Sequence, residues 1–175
     1  TALIDDLLLL ARGDAGRESV ALDVMDAGPL LREAAEQATA MAAAKGVQVS
    51  LELDGAGLFV RANEAQLRRL LLILIDNALK YTPAGGHVTI AGKADESHVT
   101  LSVADTGVGI APDDLPHVFE RFWRADKVRS REAGGTGLGL TIAKQIADGN
   151  GAHLSVQSAV GRGSTFALRL PTLRP

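Results

Sequence analysis

The chain has 175 residues, 46% of them hydrophobic and 22% charged, with a formal net charge of -3. Those values fit one ordinary domain with a sizeable core, exclude a disordered chain, and give no electrostatic footprint for nucleic acid. Without cysteine there are neither disulfides nor thiolate metal sites; no secretory signal pattern is present, and no apolar run approaches the roughly 20 residues of a membrane helix.

Residues 1 to 12, TALIDDLLLLAR, place Leu3, Ile4, Leu7, Leu8, Leu10 and Ala11 at spacings that fit a helix pressing one stripe onto a partner. Gly13 to Gly16 end it, and the stretch as far as Glu18 reads as a hinge. The helix reads as the tail of a dimerisation helix from a preceding module, so the chain is expected to be a piece of a longer protein. The expected division is 1–18, end of a helix hairpin plus linker, and 19–175, the main domain.

Val20–Met25 alternates as a strand, and Pro29 opens an alanine-rich helix over Leu30–Lys45, stopped by Gly46. Val47–Leu53 and Leu58–Val60 read as strands. Asn63 can cap a helix in which Leu67, Leu71, Leu74 and Ala78 recur at helical spacing. Thr82–Gly86 is a turn; His87–Lys93 and His98–Ala104 are paired strands. Pro112, Asp113 and Asp114 open a short helix, and Phe119, Phe122 and Trp123 form an aromatic knot. Lys127–Gly135 lacks periodicity and reads as a mobile loop. Leu138–Asp148 is a helix ended by Gly149, and Leu154–Ser158 with Thr165–Leu170 closes the chain as a hairpin. Strands grouped with helices, without strict βαβ alternation, predict an α+β two-layer sandwich. Its sheet is mixed but mostly antiparallel, of about five strands, with three main helices on one face.

Four stretches carry chemistry. In LLILIDNALKYTP, residues 71–83, Asn77 interrupts an apolar helix with a carboxamide that needs a partner, and Lys80 and Tyr81 share its face. In DTGVGI, Asp105 has the parity of Val99, Leu101 and Val103 and therefore points inward, where a carboxylate needs a donor such as the exocyclic amine of a base. Gly107 and Gly109 allow a tight turn; taken alone, the motif is equally a turn with a solvated aspartate. GGTGLGL, residues 134–140, offers glycine amides and a helix N-terminus to an anion. It is not a Walker motif, and alone it is also a linker plus helix start. GRGSTF, residues 161–166, alone is an ordinary hairpin.

In this order the four stretches resemble the N box and glycine boxes of the GHKL ATP-binding family. FERFWR resembles the F box of sensor histidine kinases, and DDLLLLAR the end of their second dimerisation helix. The resemblance spans essentially the whole chain. It implies the GHKL histidine-kinase ATPase fold and a catalytic domain that binds ATP and Mg²⁺ and presents them to a phosphoacceptor histidine. It implies that Asn77 holds Mg²⁺, Asp105 accepts the adenine amino group, Lys80 approaches phosphate and Tyr81 packs near the nucleoside. Gly107 and Gly109 shape the adenine side, and Thr165 lies near adenine beside Asp105. Gly135, Thr136, Gly137, Leu138 and Gly139 form the lid hinge and phosphate loop, while Arg124 and Arg129 are lid-side cations for the γ-phosphate.

One position departs from the pattern. Four residues before Asn77, where relatives carry a polar residue and hydrolysing relatives a glutamate, stands Ile73. An aliphatic chain cannot orient water or accept a proton, so intrinsic hydrolysis is expected to be low. None of His87, His98, His117 and His153 is followed by an acidic residue. The phosphoacceptor is expected upstream of Thr1, and the isolated chain should not label itself. Implied partners are the dimerisation and phosphoacceptor domain of the same protein and a response regulator. The chain is expected to be a monomer or weak dimer, cytoplasmic, with its parent anchored at the inner membrane face. The alternatives are an ATP-gated machine, a GHKL-type serine kinase, or a degenerate nucleotide-binding scaffold.

Overall fold

The computed structural model describes residues 21–55, 57–123 and 136–173. The expected N-terminal helix and hinge, and the loop Lys127–Gly135, lie outside the described residues. Strand β1 (Asp23–Asp26) ends on an aspartate that also starts helix α1 (Ala27–Ala43). Asp26 Oδ1 accepts from Gly28 N at 2.9 Å and from Leu58 N at 3.0 Å, which satisfies one free first-turn amide and ties the strand's end to a later loop. The helix therefore begins ahead of Pro29, not at it. Proline costs nothing in a first turn, whose amides have no partner in the helix. Leu30, Leu31, Ala34, Ala35, Ala38 and Ala42 are its buried face.

Strands β2 (Gln48–Asp54) and β3 (Phe59–Ala62) lead to helix α2 (Glu64–Tyr81). Asn63 caps α2, its side chain accepting from Gln66 N at 3.0 Å. Leu67, Leu70, Leu71, Leu74, Ile75, Ala78 and Leu79 are buried along one stripe. Then follow β4 (His87–Ala94), β5 (His98–Asp105), helix α3 (Gly139–Gly149), β6 (His153–Ala159) and β7 (Gly163–Pro171). The main sheet has the order β2-β4-β5-β7-β6, with β2 and β4 parallel and the other pairs antiparallel. Val88, Ile90, Val99, Leu101, Val103, Leu154, Phe166, Leu168 and Leu170 join the buried faces of the three helices in one core, so this is the two-layer α+β sandwich expected.

Further details differ from the sequence reading. β1 and β3 form a separate two-stranded antiparallel sheet, which Leu173 N joins by donating to Phe59 O at 2.9 Å. The helix after Pro112 is a single 3-10 turn, Leu115–His117, because Pro116 interrupts it. The aromatic knot does not form: Phe119 meets Phe166 edge-on at 6.4 Å, whereas Phe122 is 62% exposed.

Helix α3 runs through Gly149 and ends at Asn150, which is 3% exposed. Asn150 Oδ1 accepts from Asn63 N at 2.7 Å, and Nδ2 donates to Gln66 Oε1 and to Ile146 O, both at 2.8 Å. One carboxamide thus locks the end of α3 to the start of α2. Among the described residues no helix is long and apolar enough to cross a membrane. Replacing Asn150 by Ala leaves the Asn63 amide unpaired, and Asn150→Ala is expected to lower the unfolding free energy in urea by about 2–3 kcal/mol.

Candidate functional site

Helix α2 supplies the floor. Ile73, Asn77 and Tyr81 recur every four residues and so lie on one stripe, spanning about 12 Å of helix axis. Asn77 is half-buried, and its carboxamide has no hydrogen-bond partner among the described residues. Lys80 Nζ lies 5.3 Å from the centre of the Tyr81 ring, a cation resting on an aromatic face that is 45% exposed.

The DTG loop is fastened to the end of this helix, with Val108 N donating to Tyr81 O at 3.2 Å. A side chain at Gly107 would overlap that carbonyl, so only glycine permits the approach. Asp105, on the helix-facing side of β5, is half-buried; its Oδ1 accepts from Gly107 N at 2.8 Å and from Ser164 N at 3.3 Å. Oδ2 has no donor among the described residues. Burial raises the carboxyl pKa above its ordinary 3.8, and the two amides pull it back only in part.

The second glycine turn interlocks with the first. A Cβ at Gly109 (φ 71°) would overlap the Ala159 carbonyl, and one at Gly163 the Asp105 carbonyl. Ser158 Oγ lies at the centre, accepting from Ile110 N at 2.8 Å, donating to Gly163 O at 2.8 Å and meeting Ser164 Oγ at 2.9 Å. The neighbour of Asp105 on β7 is accordingly Ser164. Thr165 pairs with Ala104 and shares that residue's face, away from the helices, which corrects its expected place beside Asp105. Ser158 and Ser164 were missed in the sequence. The signal was parity: Phe166, Leu168 and Leu170 alternate inward, and Ser164 shares their parity.

The third glycine stretch meets α2 one turn before Asn77. Gly139 opens α3, and a Cβ there would lie 3.3 Å from Ile73 Cγ2. The aliphatic residue at the usually polar position therefore packs under the first turn of α3. No side chain caps that turn, so its amides remain available to an anion. Leu138 is buried beside them, and Leu138 N donates to Thr136 Oγ1 at 3.3 Å. Gly137 (φ 70°) is pressed against the backbone of Phe122, whose amide donates to Gly137 O at 3.0 Å. Arg124, Arg129 and Gly135 lie outside the described residues. Gly107 and Gly139 are brought against α2 at Tyr81 and Ile73, on the stripe that carries Asn77, with Lys80 beside Tyr81, whereas Gly109 abuts Ala159 and Gly137 abuts Phe122.

Residues 62–174 match the family described as histidine kinase-, DNA gyrase B-, and HSP90-like ATPase. The chain belongs to this family. It is 43% identical over 171 residues to the sensor histidine kinase RppB of Synechocystis, covering 97% of this chain and 37% of RppB. It is 40% identical over 169 residues to the phosphate regulon sensor protein PhoR of Pseudomonas aeruginosa, with coverages of 94% and 37%. Full-length ShkA, solved in complex with AMPPNP, superposes with a TM-score of 0.85 at 32% identity, covering 99% of this chain and 36% of ShkA. The mycobacterial sensor histidine kinase MprB gives a TM-score of 0.72 at 28% identity, with coverages of 86% and 97%. The chain spans little more than a third of the curated relatives just named. It is a catalytic, ATP-binding domain of the sensor histidine kinase type, and these relatives lend no support to a serine kinase or scaffold.

The pKa of Asp105 has two consequences of opposite sign. In the folded state it lies above the unfolded 3.8, so the native protein binds this proton more tightly and loses stability as pH rises through that interval. A ligand amine donating to Asp105 would, in contrast, need the carboxylate, so affinity for such a ligand is expected to fall as pH drops through the raised pKa. Asp105→Asn is expected to raise the melting temperature while weakening ATP binding by roughly 10- to 100-fold, since a hydrogen bond to a charged group is worth about 1.5–3 kcal/mol. Calorimetric titration and thermal melts of both proteins check this.

Proposed function

We propose that the domain holds ATP along α2 and presents its γ-phosphate to a histidine carried by another module of the parent protein. The observation that carries the reading is the arrangement on one helical stripe: the DTG loop meets α2 at Tyr81, the start of α3 meets it at Ile73, and Asn77 lies midway. Asp105 Oδ2 accepts the adenine amino group, its other oxygen being already committed to two backbone amides. Tyr81 packs near the nucleoside, and Lys80 neutralises phosphate charge. The uncapped amides that open α3, with Gly137 and Gly139, receive the phosphates at the other end.

The free, half-buried carboxamide of Asn77 fits a hard divalent cation, which prefers oxygen ligands and keeps several waters. Asn77 would hold Mg²⁺, and bound there the ion would spread the charge of the triphosphate oxygens. What this chain contributes to phosphoryl transfer is position and charge: orientation of the triphosphate and exclusion of water by packed backbone. The phosphoryl group passes to the acceptor imidazole and then to an aspartate of a response regulator. Arg124 and Arg129 are reserved as γ-phosphate cations. The domain works at the inner face of the membrane, as part of a sensor that the membrane anchors.

Ile73 gives the site no general base, because an aliphatic side chain has no proton acceptor, and it packs against Gly139 instead. His87 is engaged by Ser50 Oγ at 2.8 Å and His117 by Glu120 at 2.7 Å, His98 sits between Ser97 and Arg169, and His153 opens β6. None of them is the acceptor. Two outcomes are expected. ATP affinity of the wild type is stronger with magnesium than with a chelator, and Asn77→Ala removes that difference while keeping the magnesium-free affinity. Incubated with ATP alone, the chain releases no phosphate above background and gains no acid-labile phosphate; adding a phosphoacceptor helix-pair domain in trans produces labelling of that domain only. Equal loss of affinity with and without magnesium in Asn77→Ala would overturn the metal assignment.

A further inference from the structure

Strand β2 stands at the end of the five-stranded sheet, with β4 on one side. Gln48 N donates to Gly86 O at 3.0 Å, toward β4. Strand residues alternate, so the amides and carbonyls of Val49, Leu51 and Leu53 point the other way. No described residue pairs with them. The side chains of the same three residues form the helix-facing row of the strand; Val49 and Leu51 are half-buried against the core, and Leu53 is 36% exposed. Between this row and α1 runs a groove of about 410 Å³ lined by Arg32, Ala35, Glu36, Thr39, Val49 and Leu51. Proline, lysine and bulges ordinarily protect a sheet edge; β2 carries none, since QVSLELD pairs residue for residue with β4 from Gln48 to Asp54.

We infer that this edge pairs with the same edge of a second copy of the chain, antiparallel across a two-fold axis at Leu51. The sequence of the strand selects that register. Centred on Leu51, all seven residues are paired: Leu51 with Leu51 of the second copy, Val49 with Leu53, Ser50 with Glu52 and Gln48 with Asp54. The facing pairs Leu51–Leu51 and Val49–Leu53 consist of residues whose amides point outward, so each pair exchanges both backbone bonds. A centre at Glu52 sets Glu52 against itself, and a centre at Leu53 sets Glu52 against Asp54, both unfavourable. A centre at Ser50 leaves both acidic ends of the strand unpaired. The chosen register instead lays three apolar pairs over the two grooves and puts no like charges directly opposite. The two Glu52 carboxylates lie only on the diagonal, so added salt tightens the association.

The test uses the whole chain. Sedimentation velocity over a wide concentration range is expected to show a reversible dimer that strengthens with salt. Leu51→Pro deletes an outward amide and spares the bonds to β4, and Leu53→Lys charges the exposed end of the apolar row; each is expected to weaken association about tenfold or more while leaving ATP affinity unchanged. Because the chain has no cysteine, single cysteines report the register. Under mild oxidation Leu51→Cys cross-links to itself, whereas Val49→Cys and Leu53→Cys cross-link only when mixed. A monomer at every concentration overturns the inference, as does a dimer indifferent to Leu53→Lys or one in which Val49→Cys cross-links alone as readily as Leu51→Cys.

Discussion

Oδ1 of Asp105 receives two backbone amides from different places, Gly107 in its own loop and Ser164 at the head of β7. This oxygen holds the end of β5, the DTG loop and the turn before β7 together. Removing the carboxylate from water is unfavourable, which the upward pKa displays, and the two charge-assisted bonds offset part of that cost. The side chain therefore has two occupations. One oxygen belongs to the fold, and in the proposed reading the other belongs to the nucleotide.

Helix α2 carries the remaining geometry. Its leucine stripe is sunk in the core, its start is fastened to the end of α3 through Asn150, and its last carbonyl, that of Tyr81, receives the DTG loop. The start of α3 rests on Ile73. Both ends of α3 are thus referred to one helix, and the glycine stretch before α3 is positioned by packing as well as by its own hydrogen bonds. Leucines at α2 and alanines at α1 differ in size for a physical reason: α1 packs its small residues closely over the β2–β4 side, whereas α2 fills the middle of the layer.

Much of this was legible in the sequence. Helical spacing from Leu67 to Ala78, the Asn63 cap and the parity of Asp105 are local properties, and local properties survive folding. Gly107 could be singled out because a glycine two residues after an inward carboxylate implies a tight turn and close backbone approach. What failed depended on contacts between distant segments. Nothing near Val24 announces a two-stranded side sheet, whose existence rests on Asp26 reaching Leu58. Phe122 looked like core, but its backbone is pinned to Gly137 and its ring is turned outward. The resemblance puts Thr165 beside Asp105, although the alternation of the same strand gives that place to Ser164; a shift of one residue exchanges the faces. The stop at Asn150 instead of Gly149 rests on a partner 84 residues away.

The interlocked glycine turns leave the walls around Asp105 with no freedom of shape. Backbone from residues 105, 109, 159 and 163 is already in contact, so any branch added at either glycine displaces main chain and not a side chain. Variation at this corner is then left to side chains, among them the hydroxyls of Ser158 and Ser164, which meet at 2.9 Å between the two turns. The frame is fixed, and what changes here changes by single oxygen atoms.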